Sequence, residues 1–158
     1  MNGPTVVEAL ADRVAGLNWG ALPADVIAMS RRVVLDTIGC ALHGANTEDA
    51  QPLRRAATEL SAEGPCAVWG AGLTAAPGVA ALLNGSHAHL RELDDIGGGG
   101  HAGASQVPAA FAAVELTGGT GRDLLLGVIA GHEVSSRLAD GASYDVMTLR
   151  GWHTTGEP

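Results

Sequence analysis

The chain has 158 residues, of which 46% are apolar and only 16% are charged, so its length suits one domain and its composition excludes charge-driven disorder. Its formal charge of −8 comes from seventeen acidic residues against nine basic ones, and all nine are arginine. Because the arginines are scattered and lysine is absent, the composition argues against nucleic-acid binding and excludes a Schiff-base lysine within this chain.

Apolar residues recur at helical spacing along most of the chain. The predicted elements are, in chain order, a helix over residues 6–17, a helix that opens at Pro23 and closes at Gly44, a helix capped by Thr47 with its inner face over residues 53–60, a short strand at 66–69, and helices over 74–93, 105–116 and 124–138. Only 3% of the residues are aromatic, and alanine and glycine fill the space instead, which favours close helix packing. The sequence therefore predicts one all-α domain over residues 1–158.

The sequence also carries signals about its location. No apolar stretch reaches the roughly 20 residues that span a bilayer, and no basic segment followed by an apolar one opens the chain. Cys40 and Cys66 lie in apolar runs without a paired-cysteine motif, which is typical of buried free thiols. We therefore expect a cytoplasmic protein with no membrane partner.

Polar and titratable residues concentrate in one segment of the chain. They are Asn84, His87, His89, Glu92, Asp94, Asp95 and His101. On a helix, residues at the three-residue spacing of His89, Glu92 and Asp95 share a face. A carboxylate beside an imidazole holds the tautomer of the ring and raises its pKa, as a base that removes a proton next to a carboxylate requires. Four glycines at residues 97–100 would let the backbone bring His101 over the same pocket.

Other interpretations of this segment stay open. A solvated helix end followed by a mobile loop has the same composition. Two histidines and a carboxylate are also a familiar metal-ligand set, but no HExxH motif or cysteine pair accompanies them, so we predict no metal ligand. Residues 70–75 loosely fit a dinucleotide-binding glycine motif, but the acid expected to follow, Glu92, falls in a predicted helix instead of at a strand end. Near the C-terminus, Arg150 and His153 lie in a glycine-bracketed loop of the kind that positions side chains.

Several motifs occur together in a fixed order. They are Asn84-Gly85-x-x-x-His89-x-x-Glu92-x-Asp94-Asp95, then His101 and Pro108-Ala109-Ala110, then Gly131-His132-Glu133-Val134-x-x-Arg137 and Arg150-Gly151-Trp152-His153-x-Thr155-Gly156. This series resembles the signature of the MmgE/PrpD family. The resemblance implies the helical domain of that family, without its α/β lid domain, and a homodimer. It also implies cofactor-free chemistry, in which a proton next to a carboxylate, or a carboxylate itself, is removed from a small polycarboxylic acid.

The resemblance also implies roles for individual residues. We assign catalysis to His101, His153, Asp94 and Glu92, and substrate binding to Asp95, His89, Asn84 and Arg150. Arg150 would bind a substrate carboxylate through two parallel hydrogen bonds. Two positions depart from the family pattern: Glu92 replaces an aspartate, and Ile96 replaces a threonine that could donate to the substrate.

Three functions are compatible with this sequence. The leading hypothesis is a lyase-like enzyme that abstracts a proton from a small carboxylic acid without cofactor or metal, as a homodimer. Its reaction would be a dehydration, a decarboxylation or a related isomerisation or cyclisation. A second hypothesis is the N-terminal half of a split enzyme that needs a complementary C-terminal chain. The third is a non-catalytic helical binding or scaffold module.

Overall fold

The computed structural model describes residues 3–59, 63–97 and 100–141, so the predictions for Arg150 and His153 lie outside the described residues. The elements in these ranges are α1 (Val6–Ala15), a 3₁₀ turn (Trp19–Ala21), α2 (Ala24–Ala45), α3 (Ala50–Glu59), β1 (Cys66–Val68), β2 (Leu73–Ala75), α4 (Pro77–His89), α5 (Ala102–Thr117) and α6 (Gly121–Gly141). The chain is mostly helical, and a small antiparallel hairpin is added to the predicted all-α fold. Over these ranges, no helix has both the length and the apolar character that crossing a membrane requires.

The predicted helix over residues 74–93 begins later than expected, because its first residues belong to β2, which pairs with β1. The turn of this hairpin contains Gly70 and Gly72, both with a positive φ that favours glycine. Pro77 then opens α4. Since the residue before a proline disfavours helical backbone, Ala76 is extended, with φ −57° and ψ 147°, and the helix cannot start earlier.

The same helix also ends earlier than predicted. His89 is its last residue, and Glu92 has a left-handed φ of 49°, the one positive φ of a non-glycine residue in the described ranges. That conformation costs about 1–2 kcal/mol in an ordinary residue and is incompatible with a continuing right-handed helix. The predicted helix face shared by His89, Glu92 and Asp95 is therefore wrong, because both acids lie in the loop that follows the helix.

Two further helix boundaries differ from the prediction. Pro23 is the residue before α2 and not its first residue. Thr47 does not cap α3, because that helix begins at Ala50 and not directly after Thr47. The Thr47 hydroxyl donates to the carbonyl of Gly44, near the end of α2, at 2.7 Å. At α5 and α6, the observed helices include the predicted segments and extend them at both ends.

Helix α4 lies against α2 on one side and α5 on the other at backbone distance. A Cβ on Gly44 of α2 would lie 2.0 Å from the carbonyl oxygen of His87, and a Cβ on Gly85 would lie 2.5 Å from the carbonyl oxygen of Ala104 in α5. Residue 108 is proline and has no N–H, so the Ala104 carbonyl lacks its usual helical partner and faces Gly85 instead. Six of the side chains buried along these three helices are correspondingly small, namely Ala41, Ala45, Ala80, Ala88, Ala104 and Ala112, beside larger ones such as Leu83, His87 and Val107.

Helix α1 contacts α6 through charged side chains. Both Arg13 and Arg137 bind the carboxylate of Glu133. These hydrogen bonds, that of Arg137 first, lower the pKa of Glu133. Because α1 has no buried residue, this ion pair is the main specific contact that the helix makes with the rest of the described chain.

Candidate active site

The loop between α4 and α5, residues 90–101, carries four of the eight predicted site residues. It leaves α4 after His89 and ends at His101, the residue before α5. Gly97 and Gly100 close the loop through two backbone hydrogen bonds of 3.0 and 3.2 Å. Gly100 has a φ of 129°, a backbone conformation that favours glycine. This closure returns the chain so that the ring of His101 lies beside that of His89, with 4.6 Å between the ring centroids.

Asp94 lies between these two imidazole rings. Its Oδ1 atom is 3.1 Å from Nδ1 of His89 and 3.3 Å from Nδ1 of His101. The Asp94 side chain is 0% exposed, whereas the side chains of His89 and His101 are 24% and 16% exposed. We name these three residues the His–Asp–His cluster. Its carboxylate is sealed from solvent, and its two rings reach the surface.

The cluster has the arrangement of an oriented acid–base pair. A carboxylate that faces Nδ1 of an imidazole favours the tautomer with the proton on Nδ1 and the lone pair on Nε2. The contact from His89 is a hydrogen bond, whereas Nδ1 of His101 is buried and makes no hydrogen bond of good geometry at 3.3 Å. Because Nδ1 of His101 faces Asp94, Nε2 lies on the other side of the ring. A ring held in this way can accept a proton from a bound molecule and return it.

Asp95 connects the loop to α5 and α6. Its Oδ1 accepts a hydrogen bond of 3.0 Å from the backbone N–H of Gly103, and its Oδ2 lies 3.7 Å from Nε2 of His132. A Cβ on Gly103 would lie 2.1 Å from Oδ1 of Asp95 and 2.8 Å from the hydroxyl of Thr37, so only glycine allows this approach. Asp95, which we predicted as a substrate contact, therefore has partners within the protein.

The Asp95–His132 contact predicts a pH-dependent stability. The nearby carboxylate of Asp95, together with the hydrogen bond from Nδ1 to the Val128 carbonyl, outweighs burial and raises the pKa of His132 above its usual 6.5. The protonated ring therefore stabilises the fold fully below pH 6.5, and this contribution is lost as the pH rises through the folded-state pKa. We expect His132→Gln to be less stable than the parent at pH 6 by up to about 1 kcal/mol, with a smaller difference at pH 9, by urea unfolding.

The Asp95→Asn background is the matched control for this measurement. Without the carboxylate, the contribution of Asp95 is gone, so the loss of stability on replacing His132 at pH 6 relative to pH 9 should be smaller than in the parent. A destabilisation by His132→Gln that stays constant between pH 6 and pH 9 in the parent would contradict the assigned ion pair.

An open depression of about 500 Å³ lies beside Asp95 on the surface of α2. Its lining residues are Met29, Arg32, Val33, Leu35, Asp36, Leu93 and Asp95. Arg32 supplies a guanidinium group, which binds carboxylates with two parallel hydrogen bonds. The sequence analysis missed Arg32, although an Arg31-Arg32 pair inside an otherwise apolar helical stripe is a signal that could have identified it.

Two further observations place this face of α2 close to the acidic loop. Burial raises the pKa of the Cys40 thiol, and the negative charges of Asp36, Asp94 and Asp95 add to that effect. The approach of Gly103 to both Asp95 and Thr37 is the second observation. The depression, the loop and the cluster therefore belong to one region of the molecule.

Asn84, a predicted substrate contact, lies in the core. It is 2% exposed, and its side-chain oxygen accepts a hydrogen bond of 2.8 Å from the backbone N–H of Trp69. Its side-chain nitrogen donates to the carbonyl of Ala67 at 2.9 Å. The amide therefore holds β1 against α4.

Glu92, a predicted catalytic acid, is exposed on the turn that follows α4. In the described ranges, the hydrogen bonds and ion pairs of the His–Asp–His cluster do not include it. Glu92 lies apart from the cluster because α4 ends at His89. Beyond the end of the helix, a three-residue spacing no longer keeps side chains on one face. The placement of Arg150 and His153 relative to the cluster lies outside the described residues.

His87 is a buried histidine with a structural position. It is 0% exposed, and neither ring nitrogen has a hydrogen-bond partner. Burial, followed by the positive charge of Arg54, lowers the pKa of His87. Because residues two apart on a helix project from different sides, His87 enters the core whereas His89 reaches the loop.

Comparison with known proteins places the chain in a family. Residues 8–157 match the MmgE/PrpD N-terminal domain, and the chain belongs to the MmgE/PrpD family. It is 30% identical to the cis-aconitate decarboxylase-like protein oryM of Aspergillus oryzae, over 94% of this chain and 33% of that protein. It is 30% identical to the cis-aconitate decarboxylase of Aspergillus terreus, over 84% of this chain and 28% of that protein. It is 31% identical to the cis-aconitate decarboxylase of Homo sapiens, over 85% of this chain and 29% of that protein. The chain thus spans about a third of the length of these curated relatives.

Proposed function

We propose that this chain carries the acid–base part of a lyase site that acts on a small carboxylic acid without a cofactor. The observation that supports this proposal most is the buried carboxylate of Asp94, which faces two imidazoles that reach the surface. Family membership, and the relatives named cis-aconitate decarboxylase, favour an unsaturated or hydroxylated polycarboxylic acid as the substrate class. For loss of water, the base takes a proton from the carbon next to a substrate carboxylate, and the hydroxyl group on the neighbouring carbon receives a proton and leaves as water. For loss of carbon dioxide, the electron pair of the broken carbon–carbon bond stays on the substrate, and a protonated imidazole gives a proton to the substrate carbon skeleton.

In this proposal His101 is the base. Its Nε2 accepts the proton from the substrate carbon, and the imidazolium that forms is stabilised by the negative charge of Asp94 beside Nδ1. Asp94 acts through the ring and is a positioning residue. Removing one proton leaves the substrate with an additional negative charge, which a nearby cation has to stabilise. His153 remains our proposed second histidine.

The depression beside Asp95 is the proposed place for a substrate carboxylate. Arg32 is its guanidinium group and offsets the negative charges of Asp36 and Asp95 on the same wall. Arg150 and Glu92 remain proposed site residues. A homodimer and a cytoplasmic location also remain proposals.

Proton exchange provides the test. The protein, isolated from its host with any polypeptide that stays bound, is incubated in D₂O with cis-aconitate and other small di- and tricarboxylic acids. NMR then follows deuterium incorporation at carbon, and a gas assay follows release of carbon dioxide. We expect turnover of at least one acid, and a rate at least about 10²-fold lower for His101→Gln.

His43→Gln is the matched control. His43 is an exposed histidine at the end of α2, so the same substitution there should leave the rate unchanged. Two results would overturn the proposal: no exchange and no carbon dioxide with any acid of the panel, or equal rates for His101→Gln and the parent.

A further inference from the structure

We propose that the His–Asp–His cluster is a binding site for a divalent transition-metal ion of the zinc and cobalt class. One ring nitrogen of His89, one carboxylate oxygen of Asp94 and one ring nitrogen of His101 all lie within 4.8 Å of one another, and Nδ1 of each ring is the nitrogen that faces Asp94. Three donor atoms thus converge on one point from the end of α4, the loop and the start of α5. This proposal does not depend on the proposed function.

The separations of the donor atoms fit a single metal ion. Protein nitrogen and oxygen atoms lie roughly 2.0–2.2 Å from zinc, so two ligands at tetrahedral angles are about 3.3 Å apart. The same bond lengths give about 3 Å between neighbouring ligands of an octahedral ion. The observed separations from Oδ1 of Asp94 are 3.1 Å to His89 and 3.3 Å to His101, and both fall in this interval. Binding would therefore need little movement of Asp94 relative to either ring.

The hydrogen bonding at His101 is a second, independent observation. Nδ1 of this ring is buried and has no hydrogen-bond partner, although it lies 3.3 Å from a carboxylate that is itself sealed from solvent. Buried polar atoms are nearly always satisfied, so an atom of this kind calls for an explanation. A metal ion accounts for it, because the nitrogen would give its lone pair to the metal and the positive charge would offset the buried carboxylate.

The chemistry of the donors selects the class of metal. Two imidazoles and one carboxylate suit zinc, cobalt, nickel and copper, whereas calcium and magnesium prefer sets made of oxygen atoms alone. Three protein ligands leave at least one coordination position for water or an anion. Binding requires both Nδ1 atoms to be deprotonated, so any proton that they carry is released to solvent.

A metal ion and the proposed proton transfer compete for the same cluster. A metal ion on Nδ1 of His101 would lie between the ring and Asp94. Its positive charge would offset the carboxylate charge that stabilises the imidazolium in the proposed reaction. We therefore expect zinc to inhibit the proposed lyase reaction. This consequence, unlike the binding itself, rests on the proposed function.

Metal binding is tested on the protein directly. The protein is freed of metal with a chelator, dialysed against Zn²⁺, and its zinc content is measured by mass spectrometry. We expect one zinc ion per chain, and a loss of affinity of at least about 100-fold in His89→Gln and in His101→Gln, since even outer partners of metal ligands are worth 10- to 100-fold. His43→Gln, at an exposed histidine, should bind zinc as the parent does.

A spectrum of the parent protein keeps the test independent of variants that do not fold. Co²⁺ in place of Zn²⁺ gives a visible absorption band whose intensity distinguishes a low-coordinate nitrogen and oxygen site from the hydrated ion. An intense band that Zn²⁺ abolishes is the expected result. Three results would overturn the metal site: no retained zinc, a spectrum of hydrated Co²⁺, or equal zinc affinity in the parent and both folded histidine variants. None of these results bears on proton exchange by the metal-free protein.

Discussion

Gly44→Ala should destabilise the protein by about 3 kcal/mol or more, although it adds one methyl group to a helix. The new Cβ would lie 2.0 Å from the carbonyl oxygen of His87 and 2.9 Å from the carbonyl carbon. Both are backbone atoms of α4, so no side chain can rotate away to relieve the clash. The helices α2 and α4 must separate, which opens space around a core of small side chains that cannot expand to fill it.

Gly39→Ala is the matched control within the same helix. A Cβ at this position meets no atom within 4 Å, and the residue is exposed. Because alanine is the better helix former, this variant should match the parent or exceed its stability by up to about 1 kcal/mol. Urea unfolding followed by far-ultraviolet circular dichroism measures both variants. Equal stabilities for the two would show that α2 and α4 do not approach at backbone distance.

Asp94→Asn should lower the rate of proton exchange by about 10²- to 10⁴-fold while the fold is retained. The amide has the size of the carboxylate but no negative charge, and it can donate a hydrogen bond to Nδ1 of the histidine ring. Donation to Nδ1 places the ring proton on Nε2, which removes the lone pair that the proposed base needs. The charge that would stabilise the imidazolium is lost as well.

The pH profile separates this positioning role from a purely structural one. Without the carboxylate, the pH profile of the rate that remains in Asp94→Asn should differ in shape from that of the parent, because the negative charge beside the histidine ring is gone. A loss of folded protein would instead lower the parent rate by the same factor at every pH. Asp49→Asn, at an exposed carboxylate that pairs with Arg91, is the control and should leave rate and profile unchanged. A parent-like rate in Asp94→Asn would rule out the assigned role of Asp94.

The helices were predictable because their apolar residues recur at a period that no other regular structure shares. α2 differs from its predicted start by one residue, and α6 contains the whole of its predicted segment. The hairpin was only half predicted, since a three-residue strand such as β2 is too short to show a period. The end of α4 was missed because the residues after His89 continue the helical pattern, and only the positive φ of Glu92 shows the break.

The candidate site was predictable as a segment but not as a geometry. The spacing placed Glu92, Asp94 and Asp95 together, yet which acid faces the histidines depends on the backbone dihedrals of a loop. The hydrogen bonds of Asn84 could not be predicted, because its two partners, at the end of β1, come from a hairpin that the sequence only half indicates. Arg32 was missed because the acid beside it, Asp95, is far away in the chain and the two meet only in the folded structure.

The loop that joins α4 to α5 has a consequence for how the site forms. Asp94 follows His89 by five residues and precedes His101 by seven, so the whole cluster is contained in one helix–loop–helix unit. Closing so short a loop costs little chain entropy, and contacts between residues near in sequence form early in folding. We therefore expect the cluster to assemble during the first steps of folding, and to recover quickly after local unfolding, ahead of the long-range contact between α1 and α6.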